Sequence, residues 1–158
     1  MPQNYVMPAN SIIVHGKPLD EEFEAAPESA ILPGDLVEFN TDYCADGLVK
    51  IKEAAVNTER ALGFADTSHE EDDDHVYVAG EAVRVMNGDI VLKARLAAGN
   101  AITCGDNLKP AASGELAELD CEAGTSDPAE NACLLVGRAR MSLASATTWQ
   151  WLIIKCMI

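Results

Sequence analysis

Five consecutive carboxylates stand between His69 and His75 in the stretch "SHEEDDDHVYVAG", residues 68–80. Carboxylates suit hard cations and imidazole suits transition metals, so a metal-dependent enzyme centred on His69 and His75 is one chemistry this cluster could support. The spacing argues against it. A calcium loop of the EF-hand kind needs alternating ligands, a central glycine and a closing glutamate, and a zinc protease needs two histidines on one helical turn around a glutamate. Neither pattern occurs here. In an extended chain successive side chains point to opposite sides, so at most half of these acids could converge on one ion. A solvated acidic loop feeding the strand "HVYVAG" is the better reading, its tip facing solvent, a cation or a basic patch on a neighbouring subunit.

The other reactive groups form no catalytic constellation. The three histidines are His15, His69 and His75, and no G-x-S-x-G, P-loop or G-x-G-x-x-G is present. Cys44, Cys104, Cys121, Cys133 and Cys156 make an odd set without a C-x-x-C pair, which suggests neither a disulfide framework nor a zinc knuckle. They read as reduced thiols, mostly buried. No catalytic, metal or cofactor residue is assigned, and the expectation is a protein that is not an enzyme and takes no cofactor.

Helical periodicity is scarce along the chain. Gly, Pro, Asn and Asp recur at short intervals and divide it into apolar pieces of strand length, the pattern of a mainly β domain. "AVRVMNGDIVLKARL" predicts a hairpin turning at Asn87-Gly88, with Val85 facing Ile90 and Val83 facing Leu92. In "SAILPGDLVEFN" an approach strand, a Pro33-Gly34 turn and an exit strand through Leu36, Val37 and Phe39 are expected. "DGLVKI" adds a turn at Asp46-Gly47 and a further strand. Residues 52–62, "KEAAVNTERAL", would form the single short helix, and residues 20–29, "DEEFEAAPES", read as a solvated loop.

An internal repeat is apparent over residues 31–66 and 102–140. Ile31-x-x-Gly34-Asp35, Gly47-Leu48 and Gly63-Phe64-Ala65 correspond to Ile102-x-x-Gly105-Asp106, Gly114-Glu115 and Gly137-Arg138-Ala139. The copies are offset by 71, 67 and 74 residues at the three landmarks, which requires small loop insertions. Each Gly-Asp marks a tight turn before a strand, and each Gly-x-Ala lets the backbone pass close to a neighbour.

The chain carries 11 Lys and Arg against 26 Asp and Glu, a net charge of −15 that would repel a phosphate backbone, so direct nucleic-acid binding is disfavoured. The longest apolar stretch, "WQWLIIKCMI", falls short of the about 20 residues that span a membrane. Without a basic, then apolar leader the protein is expected to be made in the cytoplasm. Trp149 and Trp151 share one face of this last strand with Ile153, while Leu152, Ile154, Cys156 and Ile158 line the other. A strand apolar on both faces must be covered on both, within the core or by another subunit. Residues 1–15, with "MPQNYVMPANSI", read as an extended arm ahead of a single β-rich domain over 16–158. Tyr5, Val6 and Met7 in the arm, with Trp149 and Trp151, are the candidate partner-binding residues.

The landmarks "ALGFADTS", "VYVAGEAVRV", "NGDIVLKA", "AITCGDNLKPAASGELAEL" and "LLVGRARMSLASATTWQWLIIK" together resemble the capsid decoration, or cement, proteins of tailed bacteriophages and related archaeal viruses. They span residues 31–158, and it is their order that carries the resemblance. It implies a compact β-clip or β-tulip domain, commonly a homotrimer, seated on the outside of a viral capsid where several major capsid protein subunits meet. It also implies an arm that orders against the shell, and no enzymatic activity. The acidic loops at residues 20–28 and 70–74 and the five cysteines depart from that pattern. A different class of function, a small-ligand-binding or catalytic β-clip domain, is the alternative; "AITCGDNL" also resembles a turn of sugar-acid-processing and antifreeze-like modules, and a concave pocket with convergent polar groups would distinguish it.

Overall fold

The computed structural model describes residues 11–43, 49–67, 74–120 and 132–158. Tyr5, Val6, Met7, His69, Cys44, Cys121 and the Asp46-Gly47 turn lie outside them. The described residues are mainly β, with eleven short strands: β1 Ile13–His15, β2 Leu19–Ala25, β3 Leu36–Phe39, β4 Lys50–Glu53, β5 Ala61–Ala65, β6 Ala82–Asn87, β7 Val91–Leu96, β8 Asn107–Pro110, β9 Leu116–Glu118, β10 Gly137–Ala139 and β11 Gln150–Cys156.

These strands close into two small barrels. The first runs β2-β4-β3-β5-β6, and the second runs β7-β11-β10-β8-β9 and is closed by pairing of β9 with β7. The pairing scheme is the same in both: one parallel contact, β2 with β4 and β7 with β9, and four antiparallel ones in matching order. The hydrogen bonds match as well. Gly34 N–H donates to Ala65 O (2.8 Å) and Gly105 N–H to Ala139 O (2.9 Å). Asp35 Oδ2 accepts from Leu32 N–H (2.8 Å) and Asp106 Oδ2 from Thr103 N–H (2.7 Å), an aspartate closing its own turn in each case. Closure leaves few free strand edges, which is how a small β unit avoids pairing promiscuously.

Side-chain alternation explains why the first barrel is apolar on two sides. Val37, Ala65, Val83 and Val85 point into its own core with Ile31 and Ile51. Their neighbours Leu36, Phe64 and Met86 point outward and are fully buried in the larger core of the second barrel, with Leu92, Leu108, Leu152 and Ile154. A strand apolar on both faces must be covered on both, and here the second barrel covers the outer one. Burying groups of this size contributes roughly 1.5–3 kcal/mol each, so the contact between barrels is a substantial part of the fold.

Several expectations are corrected. Asn87-Gly88 does not turn a hairpin: β6 pairs with β2 and β5, whereas β7 pairs with β1, β9 and β11. Val85 enters the first core and Ile90 the second. Gly88 does take a left-handed conformation (φ 89°), but it serves the crossover between barrels and donates to Ile158 O (2.8 Å). Residues 52–62 form no helix. Ala54 is drawn into the barrel contact, its N–H on Leu36 O and its carbonyl accepting from Gly114 N–H, and Asn57 is left-handed (φ 54°). Residues 20–25 are strand rather than loop, paired with β6 along six positions from Leu19 to Glu24. The acidic side chains Asp20, Glu22 and Glu24 occupy every second place, outward, and Phe23 packs on Phe39 at 5.6 Å. Nor is "HVYVAG" a strand; it is an irregular segment anchored by Tyr77, whose N–H donates to Ile31 O and whose hydroxyl donates to Asp66 O (2.5 Å). At the other end, Ile12 is fully buried and Ile13–His15 pairs with β7, so the last residues assigned to the arm belong to the second sheet.

Candidate functional site

Alternation on β7 puts Leu92, Ala94 and Leu96 inside the second barrel and turns Lys93 and Arg95 outward. Register places Trp151 of β11 opposite Arg95, and Ile153 opposite Lys93. Both cations are nevertheless buried, at 1% and 3% exposure, because the Pro33–Asp35 turn of the first barrel lies over them.

The contacts are specific. Arg95 Cζ stands 4.0 Å from the Trp149 ring centre and 4.6 Å from that of Trp151, Lys93 Nζ stands 4.6 Å from Trp151, and the two indoles meet edge to face at 5.3 Å. Cation–π attraction is strongest where water is excluded, as here. Arg95 Nε donates to Pro33 O (3.2 Å), and Arg95 N–H to Gly34 O (3.4 Å). The same Nε stands 3.4 Å from Asp35 Oδ1, an oxygen without a hydrogen bond among the described residues. Burial, opposed by Leu32 N–H and by Arg95, raises the Asp35 pKa to about 8. Desolvation outweighs both the Leu32 hydrogen bond and the Arg95 charge. Glu115 beside it is also raised, by burial first, with Arg95 opposing.

This arrangement can clamp and present, and it holds no nucleophile with a base. Trp151 is half-buried and lies under Gly34, where an added methyl would stand 2.5 Å from the ring. Trp149 is 40% exposed, its face fixed by Arg95. Of the sequence candidates, the structure thus brings Trp149 and Trp151 together. Reading the sequence alone missed Asp35, Lys93 and Arg95; the available signal was two cations alternating with apolar residues in a strand that also had to close a barrel.

The acidic cluster is described only from Asp74 onward. His75 Nε2 lies 3.2 Å from Glu81 Oε2, and its ring meets Tyr77 edge to face at 5.0 Å. The same Glu81 carboxylate accepts from Val78 N–H (2.6 Å), which with His75 lowers its pKa. His75 thus braces the Tyr77 segment. Among the described residues no group of three His, Cys, Asp or Glu side chains could hold a metal ion, and no helix is long and apolar enough to cross a membrane. Cys104 and Cys133 are exposed, whereas Cys156 lies in the second core, where burial pushes its thiol pKa up.

By fold, then, the chain is a tandem of two like β-barrels joined through a shared apolar contact, with a cation–indole clamp across it. No protein-family model and no curated protein matches it. Among solved structures, it is similar to the N base of the head fiber gp8.5 in bacteriophage phi29, with a TM-score of 0.51 and 20% sequence identity over 89% of this chain and 99% of that one.

Proposed function

We propose that this is a virion structural protein that binds the outer surface of a viral capsid where several major capsid protein subunits meet, and that it stabilises the shell. The observation that supports this reading most directly is the fold shared, along nearly the whole of both chains, with a phage head fiber base. The ordered sequence landmarks that resemble capsid decoration proteins point the same way. The protein acts as a homotrimer without catalytic activity. The arm, through Tyr5, Val6 and Met7, and the Trp149–Trp151 face supply its contacts to partners. Attachment of several arms at one junction turns modest individual contacts into firm binding, because each later contact forms at high effective concentration.

Mixing the purified protein with expanded capsids that lack it tests the reading. Saturable cosedimentation at a fixed number of copies per shell, with a higher temperature of shell disruption, is expected. Absence of binding to expanded shells would overturn it.

A further inference from the structure

Because the barrels share strand order and hydrogen bonds, each surface position on one has a counterpart on the other. Ala26 and Ala97 donate to Ile51 O and Leu116 O at the parallel contacts, which aligns Glu22 with Lys93 and Glu24 with Arg95. Asp66 N–H on Arg84 O matches Arg140 N–H on Ile153 O. Alignment of Gly63 with Gly137 then sets Arg138 where the first barrel has Phe64, and Lys155 where it has Met86.

Within the chain the barrels join head to tail. The Pro33–Asp35 turn of the first barrel, with outward Phe64 and Met86, packs on the second barrel, whose Lys93, Arg95 and Trp151 lie under that turn. Each barrel therefore has a turn side and a receiving side, and one of each is used internally. The other turn side belongs to the second barrel. Thr103, Cys104 and Gly105 are exposed there, and among the described residues nothing lies within 4 Å of a methyl built on Gly105. Arg138 and Arg140, also exposed, stand beside a recess of about 420 Å³ that is lined as well by Lys155 and Asp89, an ion pair with each other, so the two arginines carry the excess positive charge there. The other receiving side belongs to the first barrel and is acidic. Glu22 is exposed and has no ion-pair partner among the described residues, while Asp20 and Glu24 pair with Arg84 and Lys50.

From this we infer that the basic turn side of one copy docks on the acidic β2 face of a second copy, repeating between chains the barrel-to-barrel contact seen within one. The inference rests on the homotrimer reading and says which surfaces make it. Charge supplies the selectivity. In a chain of net charge −15, like faces repel, and this is the pairing in which the exposed Arg138 and Arg140 meet an anionic strand. The interface is heterologous, two different patches on each copy, and a rotation that closes gives a ring.

Arg138→Glu and Glu22→Arg variants test it, followed by sedimentation velocity over a concentration series, with tryptophan fluorescence and thermal melting checking that each still folds. Each single variant is expected to weaken self-association at least tenfold, as does added salt for the wild type. The double variant, with the charges exchanged, is expected to return to within about threefold of wild type. Glu24→Cys provides a second readout: mild oxidation should join it to the native Cys104 of another copy, identified by peptide mapping. Unchanged association of both single variants, no recovery in the double, or crosslinks that bypass Cys104 would overturn the inference. Capsid binding measured on the same variants separates the two readings, because shells still decorated by a non-associating variant leave the virion role standing and remove only this interface.

Discussion

Among the described residues Asp35 carries the clearest pH dependence. Its side chain closes the turn before β3 by accepting from Leu32 N–H, yet the same position is buried against the second barrel. Its pKa of about 8, against 3.8 when unperturbed, means that the folded chain holds a proton the unfolded chain has released. The sign follows from linkage: the contribution is fully present below pH about 4 and is lost as pH rises through about 8. Asp35→Asn keeps a carbonyl oxygen to accept from Leu32 and removes the charge. In urea titrations from pH 5 to pH 9, wild type is expected to lose several kcal/mol more stability than the variant. Parallel slopes for the two proteins would assign the dependence to the general excess of acids instead.

At the scale of elements, the two Gly-Asp turns share one backbone and differ in surroundings. Gly34 and Gly105 both have positive φ, 84° and 103°, so an alanine at either carries left-handed strain of about 1–2 kcal/mol. A methyl at Gly34 also meets the Trp151 ring at 2.5 Å, whereas one at Gly105 meets nothing within 4 Å among the described residues. Gly34→Ala should therefore cost about 2–4 kcal/mol in all, with a shifted indole emission, while Gly105→Ala costs only the strain; equal losses by chemical denaturation would refute the distinction. These turns were legible in the sequence because Gly-Asp before an apolar run has one local meaning. So was the alternation of β3, β6, β7 and β11, since period two follows from the backbone alone. What failed were inferences of partnership. Asn87-Gly88 has the residues of a hairpin turn, but β6 and β7 each find better-matched neighbours far along the chain. Acidic β2 looked like a loop because its outward face is charged, although Phe23 and Ala25 alternate inward. The clamp of Lys93 and Arg95 was hidden for the same reason, as a cation's burial is decided by a turn some sixty residues distant in the chain.

For the whole molecule, the decisive feature is that Leu36, Phe64 and Met86 belong by strand to the first barrel and by packing to the core of the second. Neither barrel can open without exposing part of the other's apolar surface, so the two should unfold together. The chain offers a direct check, since its 2 tryptophans, Trp149 and Trp151, both stand at the second barrel. Their emission reports that barrel, whereas far-ultraviolet circular dichroism reports both. Coincident transitions by the two probes are expected, as for a single cooperative unit. Phe64→Ala sharpens the test, because it alters a first-barrel residue and removes a fully buried ring, at a cost of about 3–5 kcal/mol. The tryptophan midpoint should fall by the same amount as the dichroism midpoint. If the tryptophan transition stays in place while the dichroism splits into two steps, the barrels are independent units and the contact between them is only an adhesion. A single shifted transition instead makes the pair one mechanical body, the property a protein needs if one end is to hold a surface while the other holds a neighbouring copy.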